Sequence, residues 1–257
     1  MNITIVDLNS LTAFWLIFTR WMATVFQLPV FDRENVPPLV KVLFCLVITY
    51  AFFPKLEPIF LREMLLFNNN FMLLTIFHTM IGLIIGYLAK MIFQIFVASG
   101  QLITAQLGLT TASTFDPTFG APISAVETLI HWVMIILIFL SGALLPFFKG
   151  PYNAFFTIGL EQVARISQAP AFFVDFFANI FSTALLLASP FIFVNTTISL
   201  ILGMLGRAVP QINILMMSMV VNVGLGLITF LLVSPEFFNR GLEVYIENLG
   251  LWFNFIK

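Results

Sequence analysis

Long apolar runs separated by short polar interruptions dominate this chain. Runs near the about 20 residues of a membrane-spanning helix give roughly six hydrophobic segments. The first covers residues 8–30 and carries Arg20-Trp21 at its middle. Pro29 and Asp32-Arg33-Glu34-Asn35 end it. The second, 39–53, starts behind Pro37-Pro38, where proline suits a first helical turn. Pro54 and Pro58 are expected to break it before a short amphipathic connector at 59–70, with Arg62 and Glu63 on its polar side. The third, 71–99, is too long for a simple span. Gly82 and Gly86 form a GxxxG pair in it, a spacing that lets two helix backbones approach closely.

From Gly100 the composition changes. Gly, Gln, Thr, Ala and Ser replace the large apolar residues as far as Asp116-Pro117 and Gly120-Ala121-Pro122. Non-helical backbone at membrane depth is tolerated only inside protein or against a watery cavity. Two readings follow: a loop that lines or closes a conduit, or an ordinary surface loop. The fourth segment, 128–148, opens on His131 and Trp132 and is expected to stop at Pro146 and Lys149-Gly150-Pro151. In the fifth, 178–205, Ser182, Ser189, Thr196 and Gly203 recur every seven residues and form a narrow seam. That seam suits close packing against another helix better than the lining of a wet path. The polar stretch 203–213 is short, so the fifth and sixth segments form an antiparallel hairpin, with Gly206 permitting the stop and Pro210 starting the next helix. The sixth segment is 214–233. From Ser234 the chain reads as an amphipathic terminal helix lying on a membrane or a partner, with Glu236, Arg240, Glu243 and Glu247 among its apolar residues.

Composition sharpens the class. Hydrophobic residues make up 60% of the 257 and charged ones 9%, against about 25% charged in soluble domains. The mean hydropathy is +1.05. These values describe an all-α integral membrane protein. The net charge of −1 and the lack of a basic cluster exclude nucleic acid as a partner. Cys45, the single cysteine, has no intramolecular disulfide partner and packs as a small hydrophobe. The first residues lack the basic region and cleavage site of a signal peptide. Cations flank both sets of loops too evenly to orient the chain.

Catalytic chemistry is not expected. Asp7, Asp32, Asp116 and Asp175 all fall outside the apolar centres, and no metalloprotease, P-loop or dinucleotide motif occurs. His78 reads as a hydrogen-bonded core group. Arg20 is a charge in the middle of the first segment; a structural pairing with a neighbouring helix is preferred over a functional role. No cofactor or metal site is expected.

Three stretches carry a resemblance. They are Ala98-Ser99-Gly100-Gln101-Leu102-Ile103 with Gln106-Leu107-Gly108-Leu109 and Phe115-Asp116-Pro117; 202–213, with its Arg207-Ala208-Val209-Pro210-Gln211-Ile212-Asn213 turn; and Leu28-Pro29-Val30-Phe31 with Val36-Pro37 and Arg20 upstream. Together they resemble the flagellar biosynthesis FliR family and its virulence-secretion homologues, the T subunits of type III export gates. Thr104 stands where that family usually has glycine, and Gly142-Ala143 where it usually has Gly-His. The resemblance implies a helical-hairpin subunit of a closed hetero-oligomeric gate in the bacterial inner membrane, within the flagellar basal body. Residues 1–175 would be the FliP-like part and 176–257 a FliQ-like hairpin with its tail. FliP-like and FliQ-like subunits, FlhB-like and FlhA-like export proteins, membrane lipid and exported unfolded proteins are the implied partners. The loop at about 100–122 would plug the closed pore. Gly100, Gln101, Gln106, Gly108, Phe115, Asp116 and Pro117 fall in or beside that plug, and Gly206, Arg207, Pro210, Gln211 and Asn213 form the hairpin turn. The competing reading is a stand-alone transporter or channel for a small solute, although no inverted repeat is evident.

Overall fold

The computed structural model describes residues 7–31, 36–67, 70–107, 125–159, 169–209 and 214–256, which form seven helices and no strand. They are α1 (Leu8–Val25), α2 (Pro38–Leu66), α3 (Phe71–Gln106), α4 (Ala125–Leu140), α5 (Leu144–Thr157), α6 (Ala169–Ala208) and α7 (Ile214–Ile256). Four of them, α2, α3, α6 and α7, are long and apolar enough to cross a membrane, and α4 with α5 makes a fifth candidate if the two form one broken span. The protein is thus an all-α membrane protein. It divides into two compact units. One contains α1, α2, the first part of α3 and α5, together with the last turns of α7. The other contains the end of α3, α4 and most of α6 and α7.

In the first unit, Asp7 caps α1, its carboxylate accepting from the Asn9 N–H at 3.3 Å. This satisfies one of the donors a helix start leaves open. Ala13, Leu16, Ile17, Arg20, Trp21 and Thr24 form the buried stripe of α1, at helical spacing. The helix ends at Val25, short of the predicted 30, and the chain turns through Leu28, whose N–H donates to Val25 O. Pro38 begins α2 as expected. The expected break at Pro54 and Pro58 does not occur: α2 runs through both to Leu66. Its buried residues, Cys45, Thr49, Leu56, Phe60 and Met64, keep one stripe across the prolines, which lie on the exposed side. Burial of that stripe offsets the two backbone bonds the prolines remove.

The GxxxG pair meets α1. A Cβ added at Gly82 would lie 2.5 Å from Arg20 O and 2.8 Å from Ala23 Cβ; one at Gly86 would lie 2.8 Å from Thr24 O. The Thr24 hydroxyl donates to Gly82 O at 3.2 Å, and Gln27 Nε2 to Leu83 O at 2.7 Å. Backbones this close exchange side-chain-to-backbone hydrogen bonds that bulkier residues would exclude.

The predicted fourth segment is two helices, not one. The chain leaves α4 at Ser141, turns at Gly142 with φ +72°, and restarts as α5. Glycine adopts that left-handed geometry without the Cβ clash other residues meet. Neither Pro146 nor Pro151 stops α5.

In the second unit, Phe191 of α6 stacks near Phe230 of α7, with centroids 6.1 Å apart. Residues so placed about position 210 show an antiparallel pair, as the short connection requires. The helix α6 continues through Gly206 to Ala208, so Gly206 is not the stop. The tail is not a separate surface helix either: α7 is continuous through Pro235. Phe237, Gly241, Val244 and Tyr245 are buried, while Glu236, Arg240, Glu243 and Glu247 stay exposed. A Cβ at Gly241 would lie 3.1 Å from the Phe96 ring and 3.4 Å from Met134 Sδ, so this face packs on α3 and α4. The amphipathic pattern was right and its partner is the chain itself.

Candidate functional site

Two places in the structure concentrate polar side chains among apolar helices. The first lies in the first unit and centres on Arg20, which is 2% exposed. Its guanidinium donates to Ala154 O at 2.7 Å and to Ile158 O at 3.2 Å. These carbonyls close the C-terminus of α5, the end of a helix that carries partial negative charge and unpaired acceptors. The guanidinium also lies 4.5 Å from the centroid of the Phe155 ring. Its Nε has no hydrogen-bond partner among the described residues. Glu63 of α2 is within electrostatic reach. It in turn lies 3.4 Å from Nε2 of His78 on α3, at the outer limit of a hydrogen bond. His78 is 1% exposed and packs against Phe60, with ring centroids 4.7 Å apart.

Arg20, Glu63 and His78 thus gather from three helices around the end of a fourth. One cation and one anion stand near an imidazole, and opposite charges near one another make burial of charge more tolerable. The structural pairing expected for Arg20 is present, but its direct partners are backbone carbonyls. From the sequence, Glu63 reads as the polar side of an amphipathic connector and His78 as a hydrogen-bonded core group with no partner named. The signal available was that a charge in mid-segment calls for polar partners on neighbouring helices. The cluster presents no nucleophile. Among the described residues no group of three or more His, Cys, Asp or Glu side chains stands close enough to hold a metal.

The second place is the end of α3, in the second unit. Gly100, Gln101 and Gln106, read from the sequence as the start of a loop, lie on the helix, which runs to Gln106 rather than stopping at Ser99. Gly100 packs on α4, where an added Cβ would lie 3.5 Å from Glu127 Cα and from Ile130 Cδ1. The Asn195 side chain of α6 donates through Nδ2 to Gln106 Oε1. Leu107 is 1% exposed and sits directly on Gly226 of α7, where an added Cβ would overlap its Cδ2. A small cavity opens beside these contacts, lined by Gln106, Leu107, Asn195, Asn222, Gly226 and Thr229 with Phe191, Val194 and Ile198. Gly108, Phe115, Asp116 and Pro117 of the proposed plug lie outside the described residues, as do Pro210, Gln211 and Asn213 of the hairpin turn. Arg207 is exposed in the last turn of α6, where a cation favours the helix end, and Gly206 is half-buried beside it.

The seam on α6 lies open. Ser182, Ser189, Thr196 and Gly203 are all exposed, and nothing lies within 4 Å of a Cβ added at Gly203. Each hydroxyl donates to a carbonyl of its own helix: Ser182 to Asn179 O, Ser189 to Leu186 O and Thr196 to Ile192 O. Their polarity is satisfied locally, so the seam can face apolar surroundings without a wet path.

Sequence comparison places this architecture. The family described as bacterial export proteins, family 1, matches residues 11–247. The flagellar biosynthetic protein FliR of Pectobacterium carotovorum is 29% identical over 227 residues, covering 88% of this chain and 86% of that protein. FliR of Buchnera aphidicola subsp. Baizongia pistaciae is 25% identical over 218 residues, covering 85% and 84%. The surface presentation of antigens protein SpaR of Salmonella typhimurium is 26% identical over 176 residues, covering 67% and 66%. With the family pattern running along nearly its whole length, through both polar sites, the chain belongs to the bacterial export proteins, family 1, the family of the flagellar biosynthetic FliR proteins.

Proposed function

We propose that this protein is a core subunit of a type III protein export gate in the bacterial inner membrane. With FliP-like and FliQ-like subunits it forms the pore through which unfolded proteins leave. FlhB-like and FlhA-like export proteins are its further partners. Residues 1–175 take the FliP-like place and 176–257 the FliQ-like place. The carrying observation is the family match over 11–247. Uncovered apolar helix surface supports it: the most apolar window of α7 is 0% buried by the chain and that of α6 28%. In a gate, sister helices cover such faces, and the locally satisfied seam on α6 suits that contact.

The segment after Leu107 acts as the plug in this reading. Its small and polar residues offer little apolar area to bury, so its closed position is worth roughly a few kcal/mol, within reach of partner or substrate contacts. Affinity purification from the native membrane is expected to recover FliP-like and FliQ-like subunits with the chain. Deleting residues 110–114 is expected to raise leakage of ions or small solutes while those subunits still co-purify. A chain that purifies alone and moves a small solute by itself would establish the transporter reading instead. Normal impermeability of the deletion would remove the plug.

A further inference from the structure

We infer that the last turn of α3 is held by a two-point lock on the hairpin helices, Gln106 on Asn195 and Leu107 on Gly226, and that this lock positions the chain leaving α3. The inference rests on the plug reading above and names what sets the resting state of the gate. Three observations carry it. The two contacts fall on consecutive residues and on different helices, α6 and α7, so they fix both the rotation and the height of the helix end. The Leu107 N–H still donates to Ile103 O at 2.9 Å, so the helical path continues up to the lock. A Cβ at position 226 would overlap Leu107 Cδ2, so Leu107 lies in its present position against the α7 backbone because glycine is there.

A further observation says why the lock can open. Asn195 Oδ1 and Asn222 Oδ1 are buried beside it with no hydrogen-bond partner among the described residues. The Thr229 hydroxyl in the same cavity donates to Leu225 O at 2.8 Å and leaves both acceptors unserved. A fully satisfied buried polar network rigidifies a core, whereas a partly satisfied one leaves free energy to be gained by rearrangement. The end of α3 is therefore held by few contacts beside a polar cavity, in an otherwise apolar unit. Releasing the joint would let both acceptors find partners, which lowers the cost of opening it.

Cysteine pairing in the full chain, within its native membrane, tests the lock directly. In a Cys45→Ala background, Leu107→Cys and Gly226→Cys are combined. A Cβ at position 226 lies 3.7 Å from Leu107 Cα and 3.4 Å from its Cγ, which puts the two Cβ atoms near the about 3.5–4.5 Å that a disulfide spans. Mild oxidation is expected to protect both thiols from maleimide. The control pair, Leu107→Cys with Gly203→Cys, is expected to stay labelled. Oxidised gates are expected to stop exporting and to resume after reduction. Separately, Asn195→Leu and Gly226→Leu are expected to raise solute leak roughly fivefold or more, the population change that follows loss of a contact, with all subunits still co-purifying. Failure of the 107–226 pair to crosslink overturns the lock. A leaking 110–114 deletion alongside tight Asn195→Leu and Gly226→Leu variants overturns the lock and leaves the plug standing. A tight deletion removes the plug, and the gating role inferred here with it, even where the crosslink forms.

Discussion

Replacing Arg20 by methionine tests the first-unit cluster most sharply. Methionine keeps an unbranched chain of comparable reach and removes the charge and all donors. The substitution takes away two charge-assisted hydrogen bonds, to Ala154 O and Ile158 O, each worth about 1.5–3 kcal/mol. It also removes the stacking on Phe155 and leaves Glu63, 12% exposed, without its cation. These losses overlap and do not add. Losing both charge-assisted bonds of one buried guanidinium costs about 3–5 kcal/mol, and that is the expected loss here. For a domain of this size it corresponds to a melting shift of roughly 6–20 °C. Thermal unfolding of the detergent-solubilised chain, followed by circular dichroism, reads it. Glu63→Gln in the same background is expected to restore part of the loss, since it removes the orphaned anion, with a coupling of about 1 kcal/mol or more. A loss below about 0.5 kcal/mol, the range of ordinary surface substitutions, or strict additivity of the two changes, would refute the account of Arg20 as a charge-balanced clamp.

Three further outcomes are expected. Gly82→Leu puts its first carbon 2.5 Å from Arg20 O and forces α1 from α3, lowering stability by about 1–3 kcal/mol in the same melt; an unchanged melt would mean the two backbones are not pressed together. Phe237→Ala empties a site that is 3% exposed and is expected to cost about 3–5 kcal/mol, whereas a tail lying on lipid would show almost no change. Arg207→Ala removes the exposed cation at the end of α6 and is expected to lower recovery of partner subunits in co-purification without shifting the melt; full recovery of every subunit would rule out a role for it in assembly.

Local chemistry made much of this protein legible. The apolar periodicity identified helices, and Gly82 and Gly86 announced a close approach. A charge at Arg20 required a buried partner. Errors arose where one residue's propensity was allowed to decide. Pro54 and Pro58 do not break α2, because its buried stripe continues past them. Gly206 does not end α6, and Pro235 does not separate the tail from α7. The polarity of Gly100, Gln101 and Gln106 suggested a loop, yet all three are helical: Gly100 packs on α4 and Gln106 accepts from Asn195 of α6. Conversely, a break inside the fourth apolar run was missed, although Gly142 stood in plain view.

By itself, then, the sequence determined the class of the molecule, since apolar content and helical spacing are properties of the chain and need no partner. It showed equally that Arg20 is a charge in mid-segment and that the composition changes from Gly100 onward. Tertiary structure alone decided who meets whom. The carbonyls that hold Arg20 lie 134 and 138 residues away along the chain, Gly82 faces α1, and Leu107 rests on Gly226. The physical reason is that burial free energy depends on area and barely on identity. Many apolar faces could have paired, and only the packed arrangement of steric fits and satisfied polar groups selects among them.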